Sequence, residues 1–304
     1  MQYDPITMFC CTDLCEQVRG KGFATRQIEK RLMGGIGWMP NNLMNTSLGT
    51  IAPGVWGTHG DVMLMPNPAT GVEVDFGGGT AAEHFYLCDV QNIDGTPWDC
   101  CPRILLRDAA AEFLAKTGLV MKAIFEHEFI YSGANSLTGN NYVLDAVRRH
   151  EVFGETYLDA LKAAGVEVDS YLAEFGPGQF EVTVPPQEVV QACDTAVIVK
   201  EMAHATAHRL GHGVTFSPRV DPEGLGSGVH IHVSLWDQSC HPVSHNPARP
   251  HGLGVAAGQF LSGVVRHMPA LCAFNAPSCR TCGRGTMGGS STSARNWHTR
   301  ASRG

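Results

Sequence analysis

Six acidic or imidazole side chains stand in three short segments, each patterned as an extended strand: Glu126 and Glu128, Glu174 and Glu181, His230 and His232. Side chains of an extended chain alternate between faces. In residues 124–130, Glu126 and Glu128 therefore share one face, and Phe125, His127 and Phe129 take the other. Residues 229–235 alternate in the same way. His230, His232 and Ser234 point together, while Val229, Ile231, Val233 and Leu235 form an apolar face that can pack on a core. The middle segment carries its two carboxylates across Gly176-Pro177-Gly178 and continues as Val182-Thr183-Val184. Four carboxylates and two imidazoles would be unfavourable in a dry core unless paired, protonated or bound to cations. Such an oxygen-rich donor set suits Mg²⁺ or Mn²⁺ better than zinc.

Each pair alone also fits the solvated face of a half-buried sheet. Their co-occurrence favours a site, as does Gly226-Ser227-Gly228 directly before the histidine segment. Glycines there let a backbone approach a ligand closely.

These residues resemble the glutamine synthetase family. Three of its signatures occur in order: Glu126-His127-Glu128-Phe129, the element from Glu174 through Gly-Pro-Gly-Gln to Glu181, and Gly226 to Leu235 followed by Trp236. Residues 212–219, the entry at Thr12-Asp13-Leu14 with Arg19-Gly20-Lys21, and a junction at residues 94–103 are similar too. The resemblance covers about residues 7 to 277. It implies an α+β fold: a small β-grasp-like amino-terminal domain over 7–100, then an incomplete catalytic α/β barrel of curved antiparallel sheet and helices over 101–277. Carried over by position, it implies one metal site of Glu128, Glu174 and Glu181 and a second using Glu126 and His230. His232 and Ser234 would face ATP, and Gly226 and Gly228 the substrate. The implied reaction uses ATP and Mg²⁺ or Mn²⁺ to phosphorylate the γ-carboxyl of glutamate, after which ammonia or an amine displaces the acyl phosphate. Phosphoryl transfer rests on positioning and charge neutralisation, which divalent ions supply. The resemblance also implies homo-oligomeric rings.

Two departures bear on the substrate. The family's best-known members carry Asn before the Gly-Ser-Gly, where this chain has Leu225. Their ammonium-binding acid has no counterpart in residues 45–51. Both changes favour a larger amine or a different acid, as in the γ-glutamyl-amine branch. A non-catalytic relative that keeps the metal ligands, and a metal-dependent hydrolase using the same carboxylates, are the rival readings.

Residues 278–304 are rich in Gly, Ser, Thr and Arg, without apolar period, and read as a disordered tail. The family pattern would continue past Ser278 with a segment carrying arginines to the phosphates, and a shifted reading frame can yield a stretch closer to it. The expectation is a frameshift near Ser278, with little ligase activity for the chain as written.

At 304 residues the chain suggests about two domains. Net charge −7 without a basic stripe outside the tail argues against nucleic acid as partner. No apolar run reaches membrane-spanning length, and the first residues lack a secretion signal, so cytoplasm is expected and a membrane is not. The eleven cysteines lack a paired zinc spacing; Cys88, Cys193 and Cys272 read as small buried apolar residues. Helices are expected over 24–33, 105–116, 142–149, 156–164 and 186–211. His204, His208 and His212 sit four apart, but solvated or hydrogen-bonded roles are favoured over a metal. Gly77-Gly78-Gly79 reads as a turn rather than a phosphate cradle.

Overall fold

The computed structural model describes residues 4–275 except 14, 47–48, 58–59, 135–140 and 222. The tail of 278–304 lies outside the described residues, as do Ser47 and Leu48 of the stretch compared with the ammonium loop. The chain divides into two compact units, Met1–Ala109 with Ala163–Gly165, and Ala110–Lys162 with Val166–Gly304.

The first unit contains β1 (Ile6–Thr12), β2 (Val18–Ala24), α1 (Ile28–Gly34), β3 (Ile36–Trp38), β4 (Val62–Pro66), β5 (Val72–Val74) and β6 (Glu83–Asn92). Its sheet runs β2-β1-β6-β4-β3, with β5 also on β6. The central pair β1 and β6 is parallel and the other pairs are antiparallel. Ile28 and Leu32, one helical turn apart, pack from α1 onto the core of Phe9, Leu64 and Val90. Buried Asp13 closes the β1–β2 connection, accepting from the backbone N–H of Cys15 and Gln17 and pairing with Arg19. A small mixed sheet with one helix is the β-grasp-like arrangement expected. The run Gly77-Gly78-Gly79 is an exposed turn with positive φ at all three residues.

α2 (Pro102–Thr117) spans the division and ends at Gly118, whose φ of 70° only glycine adopts readily. The second unit follows: β7 (Leu119–Tyr131), α3 (Leu144–Arg149), α4 (Glu151–Ala163), β8 (Ser170–Ala173), β9 (Gln179–Thr183), β10 (Gln187–Glu188), α5 (Val189–Arg209), β11 (Val214–Thr215), β12 (Val229–Asp237), α6 (Val255–Arg266) and α7 (Met268–Asn275). Every strand pairing is antiparallel and β7 is the hub. β9 and β12 both pair with Glu126, so they occupy opposite edges of β7.

One face of this sheet is dry. Phe129 and Phe180 stack among Phe153 and Tyr157 of α4, and all four are essentially inaccessible. Burying each such ring contributes on the order of 2 kcal/mol. The Tyr157 hydroxyl donates to the Val199 carbonyl of α5 at 3.0 Å, so the apolar layer leaves no polar group of that ring stranded.

Several expectations need correction. Residues 174–181 are not one extended segment: they form the β8–β9 hairpin, with Glu174 just past β8. Gln179 N donates to Gly176 O, and Gly178 takes φ 67°, which reverses the chain. The apolar face of β12 is covered only at Leu235, whereas Val229 and Ile231 stay 43% and 45% exposed. α5 ends at Arg209, so His212 lies beyond it, hydrogen-bonded to the Tyr131 hydroxyl. His204 and His208 lie exposed on α5, so the solvated or hydrogen-bonded roles expected of the three histidines hold. Cys88 is buried as expected, but Cys193 and Cys272 are half-buried.

Candidate metal centre

The opposite face of the β7 sheet collects the polar side chains. Register places His230 directly across from Glu126, and Glu181 directly across from Glu128. Side chains at facing positions of an antiparallel pair lie on the same face. Ligand atoms of Glu126, Glu181 and His230 all lie within 4.8 Å of one another. Among the described residues this is the one group of its kind. The hub strand thus supplies one carboxylate, β9 a second and β12 an imidazole.

The charges in this cluster are uneven. His230 Nδ1 stands 3.4 Å from Glu126 Oε2, and His232 Nε2 stands 3.0 Å from Oε1. His230 first and His232 second pull the Glu126 carboxyl down to about 2, and the same contact raises His230. Glu181 is only 9% exposed, and burial pushes its carboxyl up to about 7, helped by repulsion from Glu126, Glu174 and Glu128. Glu128 is also raised by burial, against the Gly228 N–H that donates to it. The two histidines therefore stabilise charge on Glu126 and leave Glu181 and Glu128 destabilised as anions.

The donor set fits a hard divalent cation. Carboxylate oxygens with one imidazole suit Mg²⁺ or Mn²⁺, and a cation would relieve the repulsion that raises Glu181.

The remaining site residues have the following places. Glu128 stands outside the tight group, its Oε2 accepting from Gly228 N at 2.9 Å. Glu174 sits at the hairpin, where Oε1 accepts from the Tyr142 hydroxyl at 3.2 Å and Oε2 from Phe175 N at 3.1 Å. Ser234 shares the face of His230 and His232, and its Oγ accepts from Trp236 Nε1 at 2.8 Å. Gly226 and Gly228 both engage protein groups: the Gly226 carbonyl accepts from the Gln179 amide, and Gly228 N donates to Glu128. Tyr142 and Gln179 were not singled out from sequence. Tyr142 follows a segment without pattern and contacts Glu174 only through the fold. Gln179 had one signal: in strand parity it belongs with Glu181 and Thr183, the polar residues that alternate with Phe180 and Val182.

The model of the glutamine synthetase catalytic domain matches residues 99–300, and that of the glutamine synthetase N-terminal domain matches residues 2–98. The chain belongs to the glutamine synthetase family. The catalytic-domain match runs past residue 277, into the stretch that reads as foreign in the sequence. A gamma-glutamylpolyamine synthetase of Streptomyces coelicolor is 34% identical over 61% of this chain and 41% of its own length. A glutamate–isopropylamine ligase of a Pseudomonas species is 30% identical over 76% of this chain and 54% of its own. The crystal structure of a glutamine synthase homologue, 35% identical, superposes with a TM-score of 0.87 over 91% of this chain and 66% of that one. The chain thus spans about half the length of the curated relatives it matches.

Proposed function

We propose that the protein is an ATP- and Mg²⁺- or Mn²⁺-dependent ligase that forms a γ-glutamyl amide from glutamate and an amine. The observation that carries this reading is the convergence of Glu126, Glu181 and His230 on one sheet face within 4.8 Å, in a chain of this family. Glu128, Glu174 and Glu181 make up one metal set, and Glu126 with His230 belongs to a second. His232 and Ser234 face the nucleotide, and Gly226 and Gly228 line the substrate side. Bound divalent ions would neutralise phosphate charge during transfer. Glu126 holds His230 in place, Glu181 takes up or releases a proton as the cation leaves or enters, and the Gly226–Gly228 loop fixes Glu128.

Two observations support an amine larger than ammonia. Relatives include proteins named gamma-glutamylpolyamine synthetase, glutamate–isopropylamine ligase and glutamate–methylamine ligase. Leu225, 57% exposed beside the glycine loop, offers an apolar surface there, where the resemblance leads one to expect Asn. A homo-oligomer is part of the same proposal. No described helix is long and apolar enough to cross a membrane.

Phosphate release from ATP tests the reading, with glutamate and ammonia, isopropylamine or spermidine supplied in turn. Whatever release occurs should require glutamate, Mg²⁺ or Mn²⁺, and an organic amine in preference to ammonia, and the foreign composition of residues 278–304 leads to a low rate being expected for the chain as written. Release indifferent to glutamate and amine would favour a hydrolase and defeat the proposal.

A further inference from the structure

Gln179 opens β9 with its side chain 3% exposed, and its amide touches three separate segments. Its Oε1 accepts from Gly176 N at 2.8 Å in the hairpin turn. Its Nε2 donates to Glu128 Oε2 at 3.0 Å on β7 and to the Gly226 carbonyl at 2.9 Å, with Ser227 Oγ at 3.2 Å. These partners fix which end of the amide is which, because only Nε2 can donate to a carboxylate and a carbonyl. Glu128 Oε2 also accepts from Gly228 N at 2.9 Å. That oxygen is committed twice over, and Oε1 is the atom left to face a cation.

We infer that Gln179 is a positioning residue of the metal centre, a buried amide clamp that orients the Glu128 carboxylate and couples it to the Gly226–Gly228 loop. The inference rests on the metal-binding reading above and adds a residue to it. Outer hydrogen bonds of this kind set the direction of a ligand's free oxygen and its basicity, and their loss weakens metal binding by about 10- to 100-fold. A second consequence concerns the loop. The same NH₂ holds Glu128 and the Gly226 carbonyl, so displacement of the loop would pull on a metal ligand. Occupancy of the substrate side and of the metal would then be coupled through one amide.

The test is Mn²⁺ titration of the full chain, with free Mn²⁺ read by electron paramagnetic resonance, for wild type, Gln179→Glu, Gln179→Met and Glu181→Gln. Gln179→Glu keeps the volume and the acceptor for Gly176 N but cannot donate to Glu128. A role confined to the turn would leave its Mn²⁺ affinity unchanged, and its added negative charge alone would strengthen cation binding. The clamp instead requires about 10- to 100-fold weaker binding in Gln179→Glu and Gln179→Met alike. Wild-type affinity in Gln179→Glu overturns the inference while leaving the metal centre standing. Equal binding by wild type and Glu181→Gln overturns the metal centre, and the inference with it. Should Gln179→Met fail to fold, Gln179→Glu decides alone. Should both fail, the side-chain NH₂ signals of ¹⁵N-glutamine-labelled wild type decide. Slow solvent exchange and a shift on adding Mg²⁺ are expected for Gln179, and signals unmoved by Mg²⁺ overturn the clamp.

Discussion

β9 and β12, two of the four strands that pair with β7, lie on its opposite edges and differ in nearly everything else. All five residues of β9 are buried, Glu181 and Gln179 among them. β12 buries only Leu235 of its nine. Each contributes a donor to the same cluster, so the cluster has a rigid, desolvated side and an open, hydrated one. Desolvation explains why Glu181 on β9 holds its proton up to about 7, whereas the hydrogen bond with Glu126 raises His230 on β12 against the desolvation that would lower it. A carboxylate held ready in a dry strand and an imidazole on an open one suit a site that must bind a cation without being tied to it permanently.

The largest expected effect breaks the dry side. Phe180→Ala removes a ring packed against Phe129, Phe153 and Tyr171, and should destabilise the second unit by about 3–5 kcal/mol in chemical denaturation. The equivalent change on the open strand, Ile231→Ala, should stay within about 1 kcal/mol. Comparable losses would show that β12 is covered in solution.

Next in size is the loss of a ligand. Glu181→Gln should abolish most of the rise in melting temperature that Mn²⁺ gives wild type, because a neutral amide cannot replace the anion. Without metal the same variant should be at least as stable as wild type at pH 8, where it no longer buries an unwelcome charge.

The pH dependence separates the two sides further. Glu181 in the folded state is raised from 4.5 to about 7, so the folded state binds the extra proton. Its contribution to metal-free stability is therefore present at low pH and is lost as pH rises from about 4.5 through 7. Glu126 has the opposite sign: lowered to about 2, it stabilises above 4.5 and loses that contribution as pH falls toward 2. His230, raised above 6.5, stabilises below that value and stops doing so as pH rises through its folded value. A cation must displace protons from Glu181 and His230, so Mn²⁺ affinity should increase from pH 6 to pH 8. Isothermal titration at both values checks this, and a flat profile would place the cation elsewhere. The smallest effect is Val229→Thr on the open face, expected within about 0.5 kcal/mol of wild type.

Much of this was legible in the sequence because strand alternation is a local code. Glu126 with Glu128 and His230 with His232 could be assigned common faces from period two alone, and the resemblance to the family pointed to Glu174 and Glu181 as further candidates. What stayed hidden is nonlocal. The pattern around Glu174 and Glu181 marks a kink at Gly176-Pro177-Gly178, but nothing in those residues says that the chain turns far enough there to make a hairpin. The exposure of Val229 and Ile231 depends on what packs over them, which alternation does not encode. The grouping of Glu126 with Glu181 follows from the register of β7 with β9, and the clamp by Gln179 from a loop brought in across β12. Both are properties of pairing between distant segments.

The most direct measurement is the anomalous scattering of a crystal of the full chain soaked in Mn²⁺. A peak within about 2.5 Å of carboxylate oxygens of Glu126 or Glu181 and of His230 is expected, with occupancy lost in Glu181→Gln. A peak remote from β7, or none at concentrations that saturate the protein in solution, would contradict a cation site on this sheet face.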